Sequence, residues 1–244
     1  MQIEGVFIVS GATKGLGFAV AEKAASNGFP VALIARSKSE LMQAKALIEK
    51  NHPKHNLISY HAVDLSNYQE TSMIVNEIIK LHGNIQVVVN NAATWIIRKQ
   101  TEQLIRNDVE EALNLNFYPA FNLTTICLKN KTLFKNAYMN IVNIGATAST
   151  RGSKNLFQFC LGKGALRIFS QSLARDLAPQ KIHVSHLIID GLINNHRTRK
   201  MNPELPETRF MSPKSIAQKI IDIAKEDESC WTFECDLRPF SAEW

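Results

Sequence analysis

The stretch SGATKGLGFAVAEKAASNG, residues 10 to 28, follows the apolar run VFIVS at 6 to 10 and places glycines at 11, 15 and 17 just before an amphipathic, helix-period segment. Glycine permits the tight turn and the close backbone approach that a phosphate requires, while the unpaired amides at a helix start point at the anion. A strand, a glycine-rich turn and a helix in direct succession therefore read as a phosphate cradle. On that reading Gly11, Thr13, Gly15, Leu16 and Gly17 face the anion, with Lys14 beside them.

Outward from this turn, short β-like runs alternate with longer helix-period segments. The runs are VFIVS (6–10), VALIA (31–35), LISYHAV (57–63), QVVVN (86–90), MNIVNI (139–144), HVSHLII (183–189) and CWTFECDL (230–237). Several are apolar almost continuously, as strands buried on both faces are. Helices are expected at roughly 15–27, 38–51, 67–82, 103–129, 154–178 and 213–226. The alternation predicts an α/β fold, a parallel sheet covered by helices on both faces. Residues 190–213 contain three prolines and little periodicity, and are expected to form a long mobile loop after the sixth strand. Ligands of such sheets lie beyond the carboxyl ends of the strands, so this loop is placed either as a substrate lid or as a surface excursion.

Composition narrows the class. With 244 residues, 45% of them hydrophobic, the chain can bury a large core, and one domain over 1–244 is expected. No apolar run is long enough to span a bilayer, and MQIEGVFIVSG is too short in its apolar part for a signal peptide, so a soluble cytoplasmic protein is expected. Cys127, Cys160, Cys230 and Cys235 show no CxxC pairing, which points to reduced thiols and no metal site. The net charge of +6 is scattered among acids, so a small anionic ligand is expected rather than nucleic acid.

The Gly-x-x-x-Gly-x-Gly spacing resembles that of the short-chain dehydrogenase/reductase family. DLS at 64–66 resembles its adenine-contacting motif, and NNAA at 90–93 is similar to its NNAG. Asn116 in LNLNFYP falls where the family keeps a structural and catalytic asparagine, and GKGALRIFSQSLARDLAP followed by IHVSHLIIDG resembles its later helix and strand. The likeness spans essentially the whole chain. It implies a Rossmann-like, doubly wound sheet of about seven mostly parallel strands. It also implies coenzyme contacts at Asp64 and Leu65, at Asn91, Ala92 and Ala93, and at Gly191 and Ile193. The second strand ends in Ala35, Arg36 and Ser37, with no carboxylate there to grip a ribose 2′-hydroxyl. Arg36 can fork onto a 2′-phosphate, and Lys14 resembles the basic residue that NADP-preferring relatives carry before the second glycine, so NADP(H) is expected.

The catalytic end is incomplete. Relatives that transfer hydride use a tyrosine four residues before a lysine, and a serine thirteen residues before that tyrosine. In FQFCLGKGAL, residues 157–166, the lysine is Lys163 and the tyrosine position is Phe159; the serine position is Ala146. Asn116 and Lys163 alone remain of the four. The pattern resembles an atypical subgroup of the family with phenylalanine before the retained lysine. Lys163 is expected to hold the coenzyme ribose, with Phe159 packed beside the nicotinamide. Thr147 reads by default as packing or backbone bonding, with replacement of the serine hydroxyl as the alternative. Asp190–Gly191 reads as a turn pair, with proton donation by Asp190 as the alternative. His183 and His186 lie at odd spacing on a strand, which places them on opposite faces, one in the core and the other under a helix.

Two functions follow from this pattern. One is an NADP(H)-dependent oxidoreductase with unorthodox protonation and an unidentified small-molecule substrate. The other is a non-catalytic NADP(H)-binding sensor or partner subunit. By the same resemblance the helices at 103–129 and 154–178 are expected to form the interface of a homodimer or homotetramer.

Overall fold

A computed structural model describes residues 5–53, 57–94, 98–131 and 138–242. The elements run β1 (Val6–Ser10), α1 (Gly15–Ser26), β2 (Val31–Ala35), α2 (Lys38–Asn51), β3 (Ile58–Ala62), α3 (Tyr68–His82), β4 (Ile85–Asn90), α4 (Arg106–Asn116), α5 (Tyr118–Lys131), β5 (Met139–Ile144), α6 (Phe157–Leu177), β6 (Ile182–Ile189), β7 (Leu192–Ile193), α7 (His196–Met201), β8 (Phe210–Met211), α8 (Pro213–Ala224) and β9 (Glu234–Leu237). Seven strands make one sheet in the order β3-β2-β1-β4-β5-β6-β9. Every neighbouring pair in it is parallel. The chain winds outward from β1 to β3 and then returns to place β4 on the other side of β1. That reversal opens a crevice at the carboxyl ends of β1 and β4.

Strand alternation assigns the two cores. Phe7, Val9, Leu33, Val87, Val89 and Val142 point to one face, where α1, α2 and α8 contribute Val20, Ala24, Leu41, Ile48, Ile220 and Ile223. Val6, Ile8, Ile34, Val88 and Ile141 point to the other, against Val75 and Ile78 of α3 and Leu123 and Ile126 of α5. The two-residue period of a strand sends neighbours to opposite sides, so a sheet with both faces covered needs apolar residues at every position. Each such side chain contributes about 1.5–3 kcal/mol of transfer free energy when fully buried.

Three sequence expectations are corrected. The helix expected over 103–129 is two helices, broken at Phe117, whose backbone leaves the helical region at φ −125° and ψ −57°. Pro119 has no N–H to continue the α4 ladder, and the chain restarts as α5. Residues 190–213 are not a featureless loop: they hold β7, α7 and β8, with Asn195 capping α7 by accepting from Thr198 N–H at 3.0 Å. The strand expected over 230–237 covers only Glu234–Leu237, and Trp231 instead stacks on the His183 ring at 4.9 Å.

Helix α6 crosses α4 at Gly162, where an added Cβ would lie 2.7 Å from Asn116 Cβ and 2.9 Å from the Ala112 carbonyl oxygen. Gly164, two residues on and so on the other side of α6, has nothing within 4 Å of an added Cβ. The two glycines should therefore respond oppositely to alanine. Gly162→Ala is expected to cost about 1–3 kcal/mol through overpacking, while Gly164→Ala gains up to about 1 kcal/mol of helix propensity. Urea unfolding of the two variants checks both signs, and a stable Gly162→Ala protein would contradict the close crossing.

Candidate active site

The glycine turn is built as the sequence reading requires. Gly11 and Gly15 have φ of +66° and +59°, and an added Cβ on Gly17 would sit 2.1 Å from the Gly11 carbonyl oxygen. Lys14 is the N-cap of α1 but places no side-chain acceptor on the helix amides, and no acidic residue lies in the first turn. The helix start carries the positive end of the helix dipole, and a Cβ added at Gly15 would meet nothing within 4 Å. The turn is braced by the segment after β4. Asn91 Nδ2 donates to the carbonyls of Ser10 at 3.0 Å and Gly11 at 3.3 Å. Ser10 Oγ accepts from the N–H groups of Asn91 and Ala92 and donates to the Val89 carbonyl.

At the end of β2, Arg36 is exposed and Ser37 caps α2 by accepting from Glu40 N–H at 3.3 Å. No carboxylate stands at the end of β2 itself. Glu40, one turn into α2, meets Lys14 at 3.2 Å. Hydrogen bonds from Lys14 and Thr13, then the Lys14 charge, hold the Glu40 carboxyl below its ordinary range. The Ser37-x-x-Glu40 pattern is a capping signature, which was the available signal that Glu40 starts a helix here. On the far side of β2, exposed Asp64 accepts from Ser66 N–H at 2.9 Å and Ser66 Oγ at 2.8 Å. Leu65 is buried and its carbonyl accepts from Asn122 Nδ2.

The other cluster lies at the carboxyl ends of β5 and β6. Lys163 is 4% exposed, and its ammonium donates to the Ile144 carbonyl at 2.7 Å. Burial pushes its pKa down to about 8. Across the helix crossing, Asn116 Oδ1 accepts from Thr94 N–H at 3.1 Å, while its buried Nδ2 has no partner among the described residues. Phe159 and Ala146 are half-buried. The Ala146 carbonyl accepts from Ser149 Oγ at 2.5 Å, and Ser149 Oγ also lies 3.1 Å from His186 Nε2. His186 is fully buried, with its pKa pushed down to about 4, first by burial and then by the Lys163 charge. Gly145 is required beside it, since an added Cβ would fall 2.2 Å from that Nε2.

Both strand histidines are buried, on opposite faces as their odd spacing requires, and His186 lies under α6 with Nδ1 3.3 Å from Ser170 Oγ. His183 is held by Asn140 Oδ1 at 3.0 Å and the Thr232 carbonyl at 2.8 Å. Thr147 and Asp190 come together: Thr147 Oγ1 donates to Asp190 Oδ1 at 2.5 Å. Gly191 is exposed at a spot where a Cβ would press on Pro239 and Met211, and Ile193 is half-buried in β7. A cavity of about 430 Å³ opens between the segments after β4 and β5, lined in part by Lys99, Thr101, Lys154 and Phe157. Among the described residues, no cluster of three or more His, Cys, Asp or Glu could hold a metal ion, and no helix is long and apolar enough to cross a membrane.

Known proteins carry the same architecture. The family description "short chain dehydrogenase" matches residues 5–205. The chain is 30% identical over 240 residues to the 3-oxoacyl-(acyl-carrier-protein) reductase FabG of Aquifex aeolicus, covering 94% of this chain and 93% of that protein. It is 28% identical over 222 residues to the corresponding reductase of Bos taurus, covering 88% and 89%. Among solved structures it resembles an NADPH-bound short chain oxidoreductase of Pseudomonas aeruginosa PAO1 described as containing an atypical catalytic center, with a TM-score of 0.86, 18% identity and coverage of 99% and 98%. The strand order, the glycine turn and these matches agree: the chain belongs to the short-chain dehydrogenase family.

Proposed function

We propose that the protein is an NADP(H)-binding oxidoreductase with an incomplete catalytic set, acting as a single coenzyme-binding domain in the cytoplasm. The observation that carries this reading is the uncapped start of α1, a cradle of free amides flanked by Lys14 and Arg36. Gly11, Thr13, Gly15, Leu16 and Gly17 receive the pyrophosphate there. Lys14, Arg36 and Ser37 receive the 2′-phosphate. Lys14 can exchange its exposed pairing with Glu40 for a phosphate at small cost, because surface ion pairs are weak. Asp64 and Leu65 meet the adenine, and Asn91, Ala92 and Ala93 line the crevice beyond it. Gly191 and Ile193 close the nicotinamide end.

A nicotinamide coenzyme bound in this crevice supplies or accepts a hydride. Lys163 then holds the ribose, trading its contact with the Ile144 carbonyl for ribose hydroxyls, and Asn116 fixes the α4–α6 crossing beside it. Phe159 fills the volume of a tyrosine without its acid, as in the atypical subgroup, and Ala146 offers no hydroxyl. Absence of a positioned general acid costs about 10²- to 10⁴-fold in rate. That absence favours a second reading, a non-catalytic NADP(H) sensor or partner subunit. Exposed Tyr118, Phe157 and Ile168 on α5 and α6 support assembly into a homodimer or homotetramer through these helices.

NADPH fluorescence titration tests the coenzyme reading. Arg36→Ala is expected to weaken NADPH by about 10- to 100-fold, the cost of one charged phosphate contact, while leaving NADH within about twofold. Preference for NADH, or an unchanged Arg36→Ala protein, would remove the phosphate role. No binding of either coenzyme would remove the function. Turnover of none among a panel of alcohol, carbonyl and enoyl compounds would favour the sensor.

Lys163 yields a stability prediction. Its folded pKa of about 8 lies below the ordinary 10.5, so between those values the unfolded chain binds more protons and stability rises with pH. Below pH 8 the full burial cost remains. Lys163→Met, which keeps the apolar stem, is expected to stabilise the ligand-free protein at pH 7 by up to about 3 kcal/mol and to flatten the rise between pH 8 and 10.5. The same variant is expected to bind NADPH more weakly. Thermal melts across this pH range check it, and a Lys163→Met protein with the wild-type slope would refute it.

A further inference from the structure

Two side chains beside the retained lysine carry chemistry that the family's catalytic set does not use. Thr147 stands one residue past Ala146, and its hydroxyl donates to Asp190 Oδ1. Asp190 directly follows β6, and its second oxygen lies 3.3 Å from the Arg238 guanidinium. Its backbone N–H donates to the Leu237 carbonyl at 2.8 Å. The carboxylate is thus held by a hydroxyl and a cation, and the Asp190 main chain by β9. Both side chains are half-buried. They share the strand end with Lys163, whose ammonium bonds Ile144, three residues before Thr147.

The direction of the Thr147 hydrogen bond decides what this pair can receive. The hydroxyls missing at Ala146 and Phe159 would have offered protons to a carbonyl oxygen. Thr147 has one proton, and Asp190 takes it; only acceptor lone pairs remain on Oγ1. An acceptor backed by a carboxylate matches a ligand that donates an O–H, and leaves a carbonyl oxygen without a partner.

We propose that Thr147 and Asp190 form a hydroxyl–carboxylate base for an alcohol substrate, so that the site oxidises alcohols with NADP⁺ in preference to reducing carbonyls. The inference rests on the coenzyme reading above. In the step, the carbinol C–H bond breaks and its electron pair leaves as hydride to the oxidised coenzyme. The alcohol O–H bond breaks and its proton passes to Thr147 Oγ1, as the Thr147 proton passes to Asp190 Oδ1. The C=O bond forms, and Asp190 later returns its proton to water.

Dead-end complexes test the hydrogen-bond polarity without turnover. Calorimetry of 1-phenylethanol into the protein with NADPH, and of acetophenone into the protein with NADP⁺, compares a donor with an acceptor where neither can react. The alcohol is expected to bind at least about tenfold more tightly, and Thr147→Val to abolish the difference. With NADP⁺ and a panel of primary and secondary alcohols, Thr147→Val and Asp190→Asn are expected to lower kcat by about 100-fold or more with coenzyme affinity little changed, and Thr147→Ser to restore most of it. Equal binding of alcohol and ketone by the wild-type protein overturns the proposal, whether or not the variants fold. So does undiminished oxidation by Thr147→Val and Asp190→Asn. Coenzyme binding with no alcohol oxidised defeats this inference and leaves the coenzyme reading standing, whereas failure to bind coenzyme defeats both.

Discussion

The start of α1 has no side-chain cap and no acidic residue in its first turn among the described residues. A helix terminus facing a crevice without a cap is unfavourable for folding unless something else meets the N–H groups. Here Asn91 and Ser10 tie the glycine turn to the end of β4, which fixes the geometry of those amides. The parallel sheet supplies the rest: the reversal of strand order between β1 and β4 is what leaves the crevice in front of them.

Behind the carboxyl ends of β4, β5 and β6, polar side chains form a continuous chain. Asn90 Nδ2 donates to Thr124 and to Asn143, Asn143 Nδ2 donates to Ser170, and Ser170 lies 3.3 Å from His186, whose other nitrogen meets Ser149. Each is buried, and each would be costly if left unpaired. The chain fixes the ends of β4, β5 and β6 relative to one another. Because burial keeps His186 neutral near physiological pH, this bracing does not change charge there. Ser149, which closes the series on the Ala146 carbonyl, therefore holds the backbone just after β5.

The sheet was legible in the sequence because burial on both faces makes each strand a short unbroken apolar run, and the glycine turn because phosphate binding restricts which residues fit. Helix boundaries were less legible. The break at Phe117 is signalled by Pro119 two residues on. The segment 190–213 hid β7, α7 and β8 because elements of two to six residues are too short to show a period. Asn116 ends α4, Phe159 and Lys163 lie in the first two turns of α6, and Ala146 follows β5. Glu40 beside Lys14, and Thr147 on Asp190, could not be read, because those contacts join residues 26 and 43 positions apart through tertiary packing.

The edge strand β9 has a consequence for how the molecule is made. It pairs with β6, and the residues around it hold the Asp190 main chain and carboxylate through Leu237 and Arg238. During synthesis the glycine turn and its brace from β4 can form once the first ninety or so residues have emerged, on the order of seconds at ribosomal speed. The Asp190 end must wait for residues 234–238. A nascent chain, or one clipped by a protease ahead of β9, would keep an intact anion cradle while its second strand end stayed unanchored.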